Sequence, residues 1–183
     1  DGVIDEVAVF PSALAPDRIA AQFNAGISVS LTVNSSGNTT FNGIVGVTAR
    51  PSAIKVDSTG GTVDINAAVN VGAGGFSIHP PDTITVSAPI NSAGGPVNLQ
   101  ANNGVTLSGA AAEVTTAGGT FTVDADADNN GTGTYTQDDA GSAVSTSGAA
   151  VSITAADVDL QGTIDADSGE ITFNANTIEI DSA

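Results

Sequence analysis

The stretch "DADADNNGTGTYTQDDAG" at 124–141 holds the densest set of groups that could do chemistry in this chain. Asp124, Asp126 and Asp128 alternate, so on an extended strand their carboxylates would share one outer side. Asp138 and Asp139 follow further along and could return to the same neighbourhood. Hard carboxylate oxygens at that density suit Ca²⁺, which takes six to eight oxygen ligands. The five aspartates are therefore candidate Ca²⁺ ligands, and a solvated acidic loop is the plainer alternative. No other cofactor is expected.

An EF-hand is excluded by the spacing. Asn129 stands where that loop needs glycine, and Tyr135 stands where it needs the bidentate Glu. His79 is the chain's single histidine, and there is no cysteine to join it in a metal set. In "SIHPPD" it is expected as a turn residue before Pro80 and Pro81. A Ser-His-Asp triad can be drawn on paper, but no Gly-x-Ser-x-Gly elbow supports one.

Charge narrows the partners. Twenty acidic and three basic residues give a net charge of −17, and the cations Arg18, Arg50 and Lys55 all lie in the first third. Nucleic-acid binding requires a basic surface that displaces counterions, which this chain lacks. Anionic membranes are disfavoured for the same reason, and no apolar run approaches the roughly 20 residues of a helical span. With no Cys, Met or Trp and seven aromatic residues, any core must be built from Val, Ile, Leu, Ala and a few Phe.

The elements that would carry these residues repeat. "INSAGGPVNLQANNGVTLSGAAA" (90–112), "VSTSGAAVSITAADVDLQGT" (144–163) and "IDADSGEITFNANTIEIDSA" (164–183) share one pattern. Each has a small-residue turn, an apolar-x-apolar triplet, a corner at Ala or Asn, and a second triplet. The triplets are Val97/Leu99 with Val105/Leu107, Val151/Ile153 with Val158/Leu160, and Ile171/Phe173 with Ile178/Ile180. Segment starts at 31, 54, 69, 90, 113, 144 and 164 give lengths of 23, 15, 21, 23, 31, 20 and 20. The length of 15 breaks the period and points to a slipped register or a missing strand.

Period-2 triplets indicate half-buried strands. A repeat of about 20 residues that turns at Gly, Asn, Asp and Ser indicates a parallel β-solenoid. The expected architecture is all-β: a parallel β-helix of six or seven coils over 27–183, about 30 Å long at roughly 4.8 Å per coil. A β-sandwich is the rival, since many short evenly spaced strands also fit one. The segments repeat one another, however, and no Asn-Gly or Asp-Gly hairpin turn recurs between the triplets. Thr-x-Thr pairs at 83–85 and 134–136 are not expected at one position of successive coils, which argues against an ice-binding face.

On these residues, and most closely on "LTVNSSGNTTFNGIVGVTARPSAIKVDSTGG" (31–61), the chain resembles the β-helix repeats of filamentous-haemagglutinin-like adhesins and related giant bacterial surface proteins. The resemblance implies a right-handed β-helix, export to the cell surface and a role as stalk, adhesin or fibre. Polysaccharide lyases and pectinases share such a helix, so an enzyme has to be weighed. The solenoid body after Lys55 has no Lys or Arg to abstract a sugar proton, and Asp138 and Asp139 lack the adjoining residues of a hydrolase pair. The expectation is a non-enzyme. Surface carbohydrate is the alternative ligand for the 124–139 loop.

Residues 1–26 differ. "GVIDEVAVF" resembles the last strand of a laminin-G-like, concanavalin-type lectin domain. The helix expected next has Pro16 at its first position, Ile19 and Phe23 on one face, and Gly26 as its stop. That helix would cap the solenoid's first coil, with a strand seeking a neighbouring sheet edge as the competing role. At the other end "EITFNANTIEIDSA" is an ordinary coil. The expected partners are therefore the rest of a longer chain, or a second copy stacked head to tail.

Overall fold

Alternation such as Ile54-Lys55-Val56 or Val97-Asn98-Leu99 cannot bury both faces of a strand. The apolar face is covered when each strand closes round the same interior. The computed structural model, which describes residues 29–181, shows seven turns of that kind. The first turn holds β1 (Leu31–Ser35) and β2 (Thr39–Phe41). The second holds β3 (Ala53–Ser58), β4 (Thr62–Ile65) and β5 (Val69–Val71), and the third β6 (Gly75–His79), β7 (Thr83–Val86) and β8 (Ile90–Ser92). The fourth holds β9 (Val97–Gln100), β10 (Gly104–Leu107) and β11 (Glu113–Thr115). The fifth holds β12 (Phe121–Asp124), β13 (Thr134–Gln137) and β14 (Ala143–Ser145). The sixth holds β15 (Val151–Thr154), β16 (Asp157–Leu160) and β17 (Thr163–Asp165), and the last β18 (Ile171–Asn174) and β19 (Thr177–Ile180).

Strands stack on their equivalents one turn away, and every pairing is parallel. Three sheets result: β1-β3-β6-β9-β12-β15-β18, β2-β4-β7-β10-β13-β16-β19, and β5-β8-β11-β14-β17. We call them the first, second and third sheets. The chain is a β-solenoid, and the sandwich alternative is set aside by this topology. The helix and strand expected over 1–26 lie outside the described residues.

Register corrects the repeat. Leu31, Ile54, Phe76, Val97, Phe121, Val151 and Ile171 occupy one column and so mark equivalent points of the seven turns. The widest interval in that column runs from Phe121 to Val151, and the narrowest from Val151 to Ile171. The short unit expected at 54–68 does not exist. Position 54 lies in the first strand of its turn, whereas 69 starts the third strand of the same turn. Apolar restarts read without register slip from one sheet to another. The Thr-x-Thr pairs fall in the third and fifth turns and not in successive ones, since the fourth turn sets Gly104 opposite Thr134; only Thr85, Thr106 and Thr136 form an outer column of the second sheet. Carboxylates interrupt that column at Asp64 and Asp159.

The interior is a stack of inward ladders. Ile54, Phe76, Val97, Phe121 and Val151 are almost wholly buried, as are Val56, Ile78, Leu99, Val123 and Ile153 two positions on. Phe41 and Phe76 meet edge to face across the core with centroids 6.5 Å apart, the arrangement ring quadrupoles favour. At the return from the third sheet to the first, Ala117, Ser147 and Asp167 share a left-handed backbone (φ 50–52°) in three successive turns. The buried Thr116 and Thr146 hydroxyls close two of those corners by donating to the carbonyls of Gly119 and Ala149. A hydroxyl thus saturates a carbonyl that no strand can reach.

Two inward positions of one strand bury polar atoms that lack partners. Tyr135 and Gln137 of β13 point inward and are fully buried, and neither Tyr135 Oη nor Gln137 Oε1 has a hydrogen-bond partner. Gln137 Nε2 makes one long contact, 3.4 Å to the Thr163 carbonyl. Its ladder neighbours are Leu107 and Leu160. An unpaired buried amide oxygen carries a desolvation penalty of about 1–3 kcal/mol. Gln137→Leu is therefore expected to stabilise the fold by about 1–2 kcal/mol in urea unfolding, and Tyr135→Phe to leave it unchanged or slightly more stable. A loss of stability in Gln137→Leu would show that Oε1 is satisfied in solution.

Candidate functional site

The fifth turn is the longest because one of its corners is long. Positions 125–133 join β12 to β13, where the sixth turn uses only 155 and 156. Sequence reasoning places Asp124, Asp126 and Asp128 on one strand face; the structure ends the strand at Asp124. Ala125 then turns inward and is wholly buried, and the remaining aspartates belong to a loop.

That loop is tied by its own carboxylates. Asp126 accepts the Asn130 amide at 3.1 Å on Oδ1 and the Gly131 amide at 2.9 Å on Oδ2. Asp128 Oδ2 accepts Asn130 Nδ2 at 2.8 Å, and the Thr132 amide donates to Asn130 Oδ1 at 2.9 Å. Asn129 (φ 55°) and Gly131 (φ 80°) take the left-handed conformation that Asn and Gly tolerate best. The Ala127 amide ties the loop back to the Ala101 carbonyl one turn earlier, at 2.9 Å. These bonds are the ordinary local turn chemistry of Asp and Asn.

Asp124 stands apart on the outer face of the first sheet, between Gln100 and Thr154. Partial burial raises its pKa; a hydrogen bond from the Asp126 backbone opposes the rise and the Asp126 charge adds to it. Asp138 and Asp139 do not return to this corner. They lie past the far end of β13, a strand of four residues spanning roughly 13 Å. There Asp138 accepts Ser108 Oγ at 2.9 Å and the Gly109 amide at 2.8 Å, stitching the fifth turn to the fourth. Asp139 accepts the Gly141 amide at 2.7 Å. Among the described residues, no three His, Asp or Glu side chains come together as a metal-binding group.

What the long loop does create is a groove. Asp126 and Asn129 overhang the corners of the two following turns, Thr154–Ala156 and Asn174–Asn176, and enclose about 210 Å³. Its lining is polar: one carboxylate and three side-chain amides, with Thr154. The asparagines at 174 and 176 carry no motif. Only the register, which sets them two turns beyond the 125–133 loop, brings them into the site.

His79 also gains a neighbour the sequence concealed. It is the last residue of β6, and its ring faces outward beside Asp57 with Nδ1 3.7 Å from Oδ1. Asp57 pairs in addition with Lys55 Nζ at 2.9 Å. Asp57 and His79 are register partners in neighbouring turns of the solenoid. The group is a half-exposed surface cluster, of the kind worth little in stability.

Comparison with known protein families, characterised proteins and solved structures finds no match to this chain. The functional reading therefore rests on the chain's own geometry.

Proposed function

We propose that this chain is an extracellular structural and adhesive segment, a stalk or fibre element of a bacterial surface protein. The observation that carries the reading is the unbroken parallel register from Leu31 to Ile171, which makes seven turns one continuous column. Such a column transmits load through stacked backbone hydrogen bonds and an apolar interior, and stability accumulates turn by turn. A right-handed winding is inferred from the strong preference of parallel crossovers for that hand. Residues 1–26 belong to this proposal as the end of a lectin-like domain.

The role is read as non-enzymatic, because Asp126 and Asp139 already serve backbone amides of their own corners and Asp138 serves one in the preceding turn. The acidic exterior suits solubility and disfavours nucleic acid and anionic membrane as partners. Among the described residues, no helix is long and apolar enough to cross a membrane.

A second reading has one observation in its favour, the polar groove under the 125–133 loop. In it the loop engages Ca²⁺ or surface carbohydrate. The two readings separate in the variant Asp124→Asn plus Asp126→Asn, melted with and without millimolar CaCl₂ and with MgCl₂ as the control for screening. A scaffold shows the same small response to either cation in both proteins, under about 2 °C. A calcium-specific rise in the wild type that the variant loses would replace the scaffold reading with the binding one.

A further inference from the structure

The two ends of the column differ in charge and match in shape. Among the described residues, the sheets end at β1, β2 and β5 on one side and at β18, β19 and β17 on the other. Parallel strands make this pair of edges complementary, since what the first turn presents on its open side is what the last turn lacks. Both rims are apolar. Val29, Ile44 and Val47 are 60–72% exposed at one end, and Ile171, Ile178 and Ile180 are 41–71% exposed at the other. Among the described residues, each end therefore presents exposed hydrophobes.

Charge gives the contact a direction. Among the described residues, the last turn and its approach, 165–181, carry five carboxylates and neither Lys nor Arg, whereas the first turn, 29–52, carries Arg50 and no carboxylate. Arg50 borders an apolar groove of about 260 Å³ beside Val29 and Leu31, on the rim of the first turn. Two acidic ends repel each other. An acidic last turn meeting the Arg50-bearing first turn lowers that cost, and only this arrangement continues the parallel register.

We propose that the last turn of one copy is the docking face for the first turn of a second copy. The proposal deepens the fibre reading and rests on it. In the continued register, Ile171 and Phe173 meet Leu31 and Val33 of the incoming chain, while Ile178 and Ile180 meet Thr39 and Phe41. This is a heterologous contact that does not close, so it propagates into a filament. Each copy adds seven turns, about 34 Å of length. Of the two roles expected for 1–26, a strand that seeks a neighbour's edge is compatible with the contact, whereas a helix capping the first turn would block it.

The test uses the full chain, followed by electron microscopy and sedimentation velocity across protein concentration and from about 50 to about 500 mM NaCl, a range that shortens the Debye length. Rods that lengthen with concentration, more readily at high salt, are expected. Ile178→Lys plus Ile180→Lys changes two exposed side chains and is expected to keep the wild-type circular dichroism while remaining one chain long. Its first turn is intact, so it should also act as a chain stopper: one variant per ten wild-type chains limits filaments to about ten copies on average. Discrete dimers, wild-type filaments indifferent to the variant, or single rods at every concentration and salt would each overturn the proposal. Single rods would leave the solenoid-scaffold reading standing and favour the helical cap. A chain with neither rod shape nor β-type circular dichroism would overturn both.

Discussion

Phe121→Ala is expected to lower the unfolding free energy by about 3–5 kcal/mol, read as a shift of the urea midpoint followed by far-UV circular dichroism. The ring is wholly buried at the start of β12, in the same column as Val97 before it and Val151 after it. Two valines flanking one phenylalanine leave space that only the ring fills, the alternation of large and small by which stacked layers interlock. Removing it forfeits the transfer energy of the ring and opens a cavity between two β-branched neighbours with few alternative rotamers. Ile178→Ala is the comparison. That residue is 48% exposed on the last turn, so its truncation should cost under about 1 kcal/mol. If the two variants fell together, the interior ladder would not be the main source of stability.

The contrast explains which parts of the fold are legible in the sequence. Each inward position in the first sheet follows from apolar-x-apolar triplets, because a half-buried strand cannot hide its period. Phase is the harder quantity. Triplets of the first and third sheets look alike, so Ile54 and Val69 both read as starts of a turn, and only hydrogen-bond register separates them. Once the register is known, long-range pairs become local: Asp57 and His79, or Ser108 and Asp138, each lie one turn apart.

The candidate site is legible in position but not in geometry. Surplus length marks the fifth turn as the excursion. Alternating aspartates suggest a strand, yet Asp126 and Asp128 also suit turns, where their carboxylates bind amides a few positions further on. Local capping wins because a corner, not a strand, follows Asp124. Tyr135 and Gln137 show the opposite failure. Alternation places both inward, but nothing in the composition signals that two polar groups would be buried there without partners.

Glycine at the corners reads as general permissiveness in the sequence, and Gly75 turns it into a sharper statement. Its φ of +82° lies in the left-handed region, and an added Cβ would stand 2.2 Å from the Pro96 carbonyl oxygen. That carbonyl is not free to move, since it accepts the Phe76 amide at 2.9 Å and so fixes the third turn to the fourth. Gly75→Ala must therefore bear left-handed strain of about 1–2 kcal/mol and also displace an inter-turn hydrogen bond. The expected total loss is about 2–4 kcal/mol, measured by the same urea titration. Gly43→Ala provides the control, because no atom lies within 4 Å of its added Cβ and its backbone is not left-handed. There the lower entropy of the unfolded chain should leave stability unchanged or raised by up to about 1 kcal/mol. Equal costs at the two sites would mean that the turns are held by corner entropy alone. Unequal costs in the stated order would place the constraint in backbone contact between successive turns, the feature on which a continuous column depends.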